Sequence, residues 1–399
     1  MNKYIDDVEQ DLVDEKLKQY WPGFKRVAYA LYDEEFVYLF NHPKMTSEPN
    51  KKYQILKRDD QFYGCTLILY NDYPTAIVDL ELYNDNASLY SILIHELFHG
   101  FQYTKEESRF ANEIMGVTYP ILKENIELRN QERTCLYQAV FEKNSKKKQQ
   151  LLTEFIALRE KRTTIINDYL QYENLIETIE GPAWYVELKA YSEKSLESDH
   201  LILKKFSQQL INKYESTANI RGSCYSSGLF ICLLLDELAP DWKDHFWQNE
   251  VTLYDLLKGL SDCFTQINEV KVSPETDNLI DSILQARKNE IISFEQQTGY
   301  NLFFEGKIIA KSFDPMNILL FEDRFLHKRF LKIEINNQDY LIREHVIAYS
   351  EGDLRNISKL HLVLNNEPYV NIDSITIDGI GIIKGKYELK NGISHLFAN

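Results

Sequence analysis

Ser91-Ile92-Leu93-Ile94-His95-Glu96-Leu97-Phe98-His99-Gly100-Phe101 is the stretch that decides what this chain can be. On a helix, His95 and His99 fall one turn apart on the same stripe. Two imidazoles so placed can grip one zinc ion, and a glutamate between them, Glu96, can take a proton from a water bound there. Leu89, Ile92, Leu93, Leu97 and Phe101 supply the apolar positions that bury such a helix.

The pattern fixes only three residues, so the flanks must support it. Residues 77–82 read as a short strand, and Asn84-Asp85-Asn86 offers capping side chains ahead of the apolar run over 89–101. A capped helix directly after a strand suits the motif. The competing reading is a histidine pair that packs without a metal. A closed structural zinc site fits poorly, because no cysteine cluster accompanies the pair and a glutamate lies between the histidines.

Working outward, three regions are expected: a β-rich part over 1–85, a mainly helical part over 86–295 that carries every chemical motif, and a small β domain over 296–399. In the first, a helix is expected near 8–20, then strands within 26–40, 65–70 and 75–82, with Asp33-Glu34 at a hairpin tip. In the second, residues 151–175 have helical patterning around Arg159 and Arg162, and the lysine-rich run 143–148 reads as a solvated helix connection. In the third, Leu331, Ile333 and Ile335 share one strand face, Asn336-Asn337 supplies a turn into 340–343, and further strands are expected at 359–364 and within 372–383.

Composition narrows the class. The chain has 399 residues, 44% hydrophobic and 13% aromatic, enough for a large ordered core. A net charge of −16 argues against general nucleic-acid binding and against anionic membrane surfaces. Cys65, Cys135, Cys224, Cys232 and Cys263 are odd in number and contain no CxxC pair, so reduced packing residues are expected rather than disulfides or a thiolate site. Residues 1–16 are acidic and polar, unlike a secretion signal, and the longest apolar run, 229–235, is too short to cross a bilayer. A cytoplasmic protein is the expectation.

A catalytic zinc takes three protein ligands and a water, so a third ligand is needed. The spacing of aminopeptidase N-like enzymes would place it at Thr118, and that of thermolysin at Tyr119; neither is a ligand type. Farther on, Glu180-Gly181-Pro182-Ala183 resembles the Glu-Gly-x-Ala signature by which several gluzincin-type metallopeptidases supply this glutamate from a second helix. On that resemblance Glu180 completes the site. Gly181 would leave room for the metal-binding helix, whereas Pro182 predicts a kink or a helix start. Glu177, one turn earlier, stays open as the alternative ligand, and Glu187 is a candidate for orienting a histidine.

Tyr225-Ser226-Ser227-Gly228 resembles the Tyr-x-x-Gly helix of aminopeptidase N-like and glycyl-aminopeptidase-like gluzincins. That resemblance gives Tyr225 the role of hydrogen-bonding the oxyanion formed on the substrate. The gluzincin resemblance spans residues 75–246 and implies an α+β, zincin-like fold. It also implies a zinc-dependent peptidase with His95, His99 and Glu180 on the metal, Glu96 as general base, and peptides as partners. The chain departs from the family in two respects. About 80 residues separate His99 from Glu180, implying a helical insertion over about 105–170 that walls or covers the cleft, and the Gly-x-Met-Glu-Asn stretch that holds a substrate amino terminus is missing. Short peptides are therefore expected substrates, with the cleavage position open. The rival classes are a catalytically silent binding module of zincin fold and a zinc hydrolase of a non-peptide amide or ester.

Overall fold

Strand β1 (Ala28–Tyr32) is buried along its whole length and organises the N-terminal part of the molecule. Its side chains alternate between two cores. Tyr29 and Leu31 join the large helical core, while Ala30 and Tyr32 pack with Val37, Leu39, Phe62 and Ile77 on the opposite face. The computed structural model describes residues 3–44, 52–248, 250–261, 267, 269–390 and 393–397. Cys263 lies outside the described residues; Cys65, Cys135, Cys224 and Cys232 are free thiols, the last three buried.

The chain is a mixture of helix and strand, with an N-terminal sheet, a helical middle and a C-terminal sheet. The N-terminal sheet also contains β2 (Phe36–Phe40), β3 (Tyr53–Lys57), β4 (Thr66–Tyr70) and β5 (Tyr73–Asp79), in the order β3-β2-β1-β5-β4. Only β1 and β5 run parallel. Asp33 does sit at the β1–β2 tip, where its carboxylate accepts the backbone N–H groups of Glu35 (3.0 Å) and Phe36 (2.8 Å). In place of one helix near 8–20 there are two, α1 (Lys3–Asp11) and α2 (Asp14–Tyr20). Val13 is extended between them, and Asp14 and Glu15 at the start of α2 favour a new helix N-terminus.

The helical part is built from α3 (Asn86–Thr104), α4 (Lys123–Phe141), α5 (Ser145–Ile166), α6 (Asp168–Lys194) and α7 (Ile220–Leu238), with short helices between them. None of the helices among the described residues is long and apolar enough to cross a membrane.

The chain divides into two compact units: residues 1–111 with 124–271, and residues 112–123 with 272–399. The boundaries differ from those expected at 85/86 and 295/296, for reasons of packing. The β1–β5 sheet and the helices share one core, in which Tyr29, Leu31, Ala76 and Val78 meet Leu93, Leu97, Ala183 and Leu229. Helix α8 (Pro274–Glu295) packs Ile291 and Phe294 on Leu326 and Ile347 and so belongs with the C-terminal sheet.

Among the described residues that sheet has nine strands, centred on the long strand β6 (Tyr300–Phe313). Leu331, Ile333 and Ile335 do share its buried face, and Asn336 and Asn337 turn the chain with φ of 51° and 60° into the strand Gln338–Ile342. A separate three-stranded sheet, residues 369–384, completes the second unit.

Candidate metal centre

Helix α3 begins where the flanking residues indicate: Asp85 caps it, its carboxylate accepting the N–H of Ser88 at 2.8 Å. Its other end lies close against the sheet. A Cβ on Gly100 would come within 2.3 Å of Val27 Cγ2, so a larger residue there would force the Val27 side chain to shift. Leu89, Leu93, Leu97 and Phe101 are buried in the core. His95 and Glu96 are buried as well, and the His99 side chain is 17% exposed.

Helix α6 brings Glu180 to the two histidines. Pro182 does not start a helix: Asp168–Lys194 runs through it. Gly181 does make room for a helix, but the neighbour is α7 rather than α3, the helix of His95 and His99. A Cβ on Gly181 would sit 2.7 Å from Gly228 Cα, and one on Gly228 would sit 2.6 Å from the Glu177 carbonyl oxygen. The glycines of the two distant motifs thus face each other at one crossing point. That contact lets α7 present Arg221 and Tyr225 beside Glu180.

The ligand atoms converge. His95 Nε2 and His99 Nε2 are 3.0 Å apart, and Glu180 Oε2 lies 3.5 Å from the first and 3.2 Å from the second. Atoms bound tetrahedrally to one zinc at ~2.0–2.1 Å stand about 3.3–3.4 Å from each other. The remote nitrogens are already engaged: His99 Nδ1 lies 2.7 Å from Gln102 Oε1, and His95 Nδ1 lies 2.9 Å from Glu187 Oε2, an ion-pair contact rather than a well-directed hydrogen bond. Gln102 is itself fixed, its amide donating to the Ile179 carbonyl at 2.7 Å. With the Nδ1 protons turned outward, both Nε2 lone pairs face a buried carboxylate oxygen that accepts no hydrogen bond. With both rings neutral these are three acceptors without a donor, an arrangement resolved by a cation, whether a proton taken up by His95 or a metal ion in its place. Among the described residues, His95, His99 and Glu180 form the group able to hold a metal ion.

The electrostatics reflect the same crowding. Burial works against a charged His95, yet Glu180 and Glu187 together push it up to about 10. Burial would raise Glu180, but His99, His95 and Arg221 hold its carboxyl well below the usual range. Burial also raises Glu96, only partly offset by the two histidines, which suits a carboxylate meant to accept a proton. Tyr225 stacks on His95 with ring centroids 6.1 Å apart. Burial and the charge of Glu180 keep its phenol protonated well above the ordinary value, so it remains a donor.

Glu177 faces elsewhere. Arg159 grips it with two hydrogen bonds of 2.6 and 2.9 Å, and Ser227 of α7 donates to it at 2.5 Å. It belongs to a fully buried lattice of Arg129, Arg159, Arg162, Glu132, Glu173 and Glu177. Arg133 adds to this lattice by donating to the backbone of Ser223, and burial beside Arg129 lowers it to about 9. Helices α4 and α5 of the insertion brace α6 and α7 through this lattice, and residues 112–123 cluster with the second unit. The lysine run is only partly solvated: Asn144 caps α5, and Lys148 is buried against Glu237.

No family model, no curated protein and no solved structure matches this chain. The site has to be read from its own geometry. Two contacts there escape a reading of the sequence. Gln102 follows His99 by three residues and Arg221 precedes Tyr225 by four, which are helical-neighbour spacings, but neither type marks a metal site by itself.

Proposed function

We propose that this chain is a zinc-dependent metallopeptidase with a zincin-like catalytic part, acting on short peptides. One observation carries the reading: His95 Nε2, His99 Nε2 and the orphaned Glu180 Oε2 face one point while protein groups occupy both Nδ1 atoms. His95, His99 and Glu180 would hold the ion. A zinc ion held by three protein groups acidifies a bound water and polarises a carbonyl.

The remaining steps belong to the side chains. Glu96, on the same helix and raised by burial, takes a proton from the attacking water and delivers it to the departing amine nitrogen. Tyr225, a neutral donor beside Glu180, hydrogen-bonds the oxygen that gains negative charge on the substrate. Burial of His95, Glu96 and Glu180 keeps bulk water from the proton route.

Elemental analysis of purified protein tests the reading. About one zinc per chain is expected, with His95→Ala and Glu180→Ala reducing it. Glu96→Gln should retain the metal and slow cleavage of a peptide library by ~10²–10⁴-fold. A parent protein that takes up no zinc after reconstitution, or a Glu96→Gln variant with normal turnover, defeats the proposal.

A further inference from the structure

Glu180 shares its two oxygens unequally. Oε2 faces the histidine nitrogens and accepts no hydrogen bond, whereas Oε1 accepts one of 2.9 Å from Arg221 Nη2. The other arm of the same guanidinium, Nη1, donates to the hydroxyl of Tyr225. Arg221 stands one helical turn before Tyr225 on α7, and its side chain is 22% exposed against 7% for Glu180. A planar fork with fixed donor directions holds the carboxylate oxygen with one arm and the phenol with the other. A glutamate whose second oxygen is held in this way has one oxygen left to offer a metal. We infer that Arg221 is a positioning residue that reserves Glu180 Oε1 for the protein, so that Glu180 binds metal through Oε2 alone and a coordination position stays open.

The inference rests on the metal reading above and has a readout independent of turnover. Without Arg221, both carboxylate oxygens are free to approach the ion, and the coordination number rises. The full chain is freed of metal, loaded with Co²⁺ in place of zinc, and its visible spectrum recorded for the parent, Arg221→Met and Arg221→Lys. The parent is expected to bind one Co²⁺ per chain with the intense bands of a four-coordinate site. Arg221→Met should bind one Co²⁺ with several-fold weaker bands, as for five-coordination. Arg221→Lys, which can still reach Oε1, should restore most of the parent intensity. A parent-like spectrum in Arg221→Met overturns the inference. A lysine variant as altered as the methionine one also overturns it, since damage to the fold would then explain both. A parent that binds no Co²⁺ is recognised from stoichiometry alone and defeats the metal reading itself.

Discussion

At the scale of single residues, the candidate centre depends on atoms beyond the three proposed ligands. Glu187 and Gln102 hold the Nδ1 sides of His95 and His99, fixing the tautomer and the direction of each Nε2 lone pair. Glu187→Gln and Gln102→Leu should each weaken zinc binding by ~10–100-fold with little loss of folding, measured by competition with a chromophoric chelator. Unchanged affinity would leave both as packing residues. Protons compete for the same site. His95, pushed up to about 10, is charged at neutral pH without metal and must lose that proton on zinc uptake. Zinc affinity should therefore rise by roughly tenfold per pH unit between pH 6 and 8, with a proton released to buffer. In the metal-free chain the sign reverses. The raised value stabilises the fold fully below the unfolded value of 6.5 and is lost as pH climbs towards about 10.

At the scale of elements, the crossing of α6 and α7 is the joint that sets the site. Gly228→Ala places a methyl 2.6 Å from the Glu177 carbonyl, where backbone and not a flexible side chain must give way. A loss of at least about 1–3 kcal/mol in urea unfolding is expected, together with weaker zinc binding, because Glu180 and Tyr225 flank that contact. Arg159→Met takes away the guanidinium that grips Glu177 and one of the two that pair with Glu132, which keeps Arg162, and should cost about 3–5 kcal/mol. Unfolding curves near that of the parent would dismiss either claim.

These elements also show what a sequence can disclose. The motif helix, its Asp85 cap, the Asp33 hairpin tip and the alternation at Leu331–Ile335 were legible because each signal is local, a period or a cap within a few residues. The partner of Gly181 was not, because a glycine announces close approach without naming what approaches. Strand β3 was missed for a related reason: it is an edge strand with no fully buried side chain, so its burial pattern carries no alternating apolar face. The buried arginines read as ordinary helix charges, since pairing across α4, α5 and α6 is written in no single stretch.

At the scale of the molecule, two compact units with separate cores imply two responses to conditions, and a single unfolding midpoint should not describe the chain. The first unit carries the candidate metal centre, so its transition should move upward with zinc by mass action. The second carries two buried histidines with the opposite behaviour to His95. His327 has no hydrogen bond on either ring nitrogen and is lowered to about 4 by burial; His361 is lowered to about 4 by burial and then by Lys359. Each folded value lies below the unfolded 6.5, so the unfolded chain binds more protons between those limits and stability falls as pH drops from 6.5 towards 4. For His327 alone the loss is of order 3 kcal/mol. Calorimetry of the parent from pH 7.5 to 4.5 should show one zinc-sensitive transition and a second that moves down with acid. His327→Phe, which keeps a flat ring edge-on to Phe313, should flatten the acid slope of the second and leave the zinc response of the first intact. An acid slope unchanged by that substitution would show that His327 is not the group being charged.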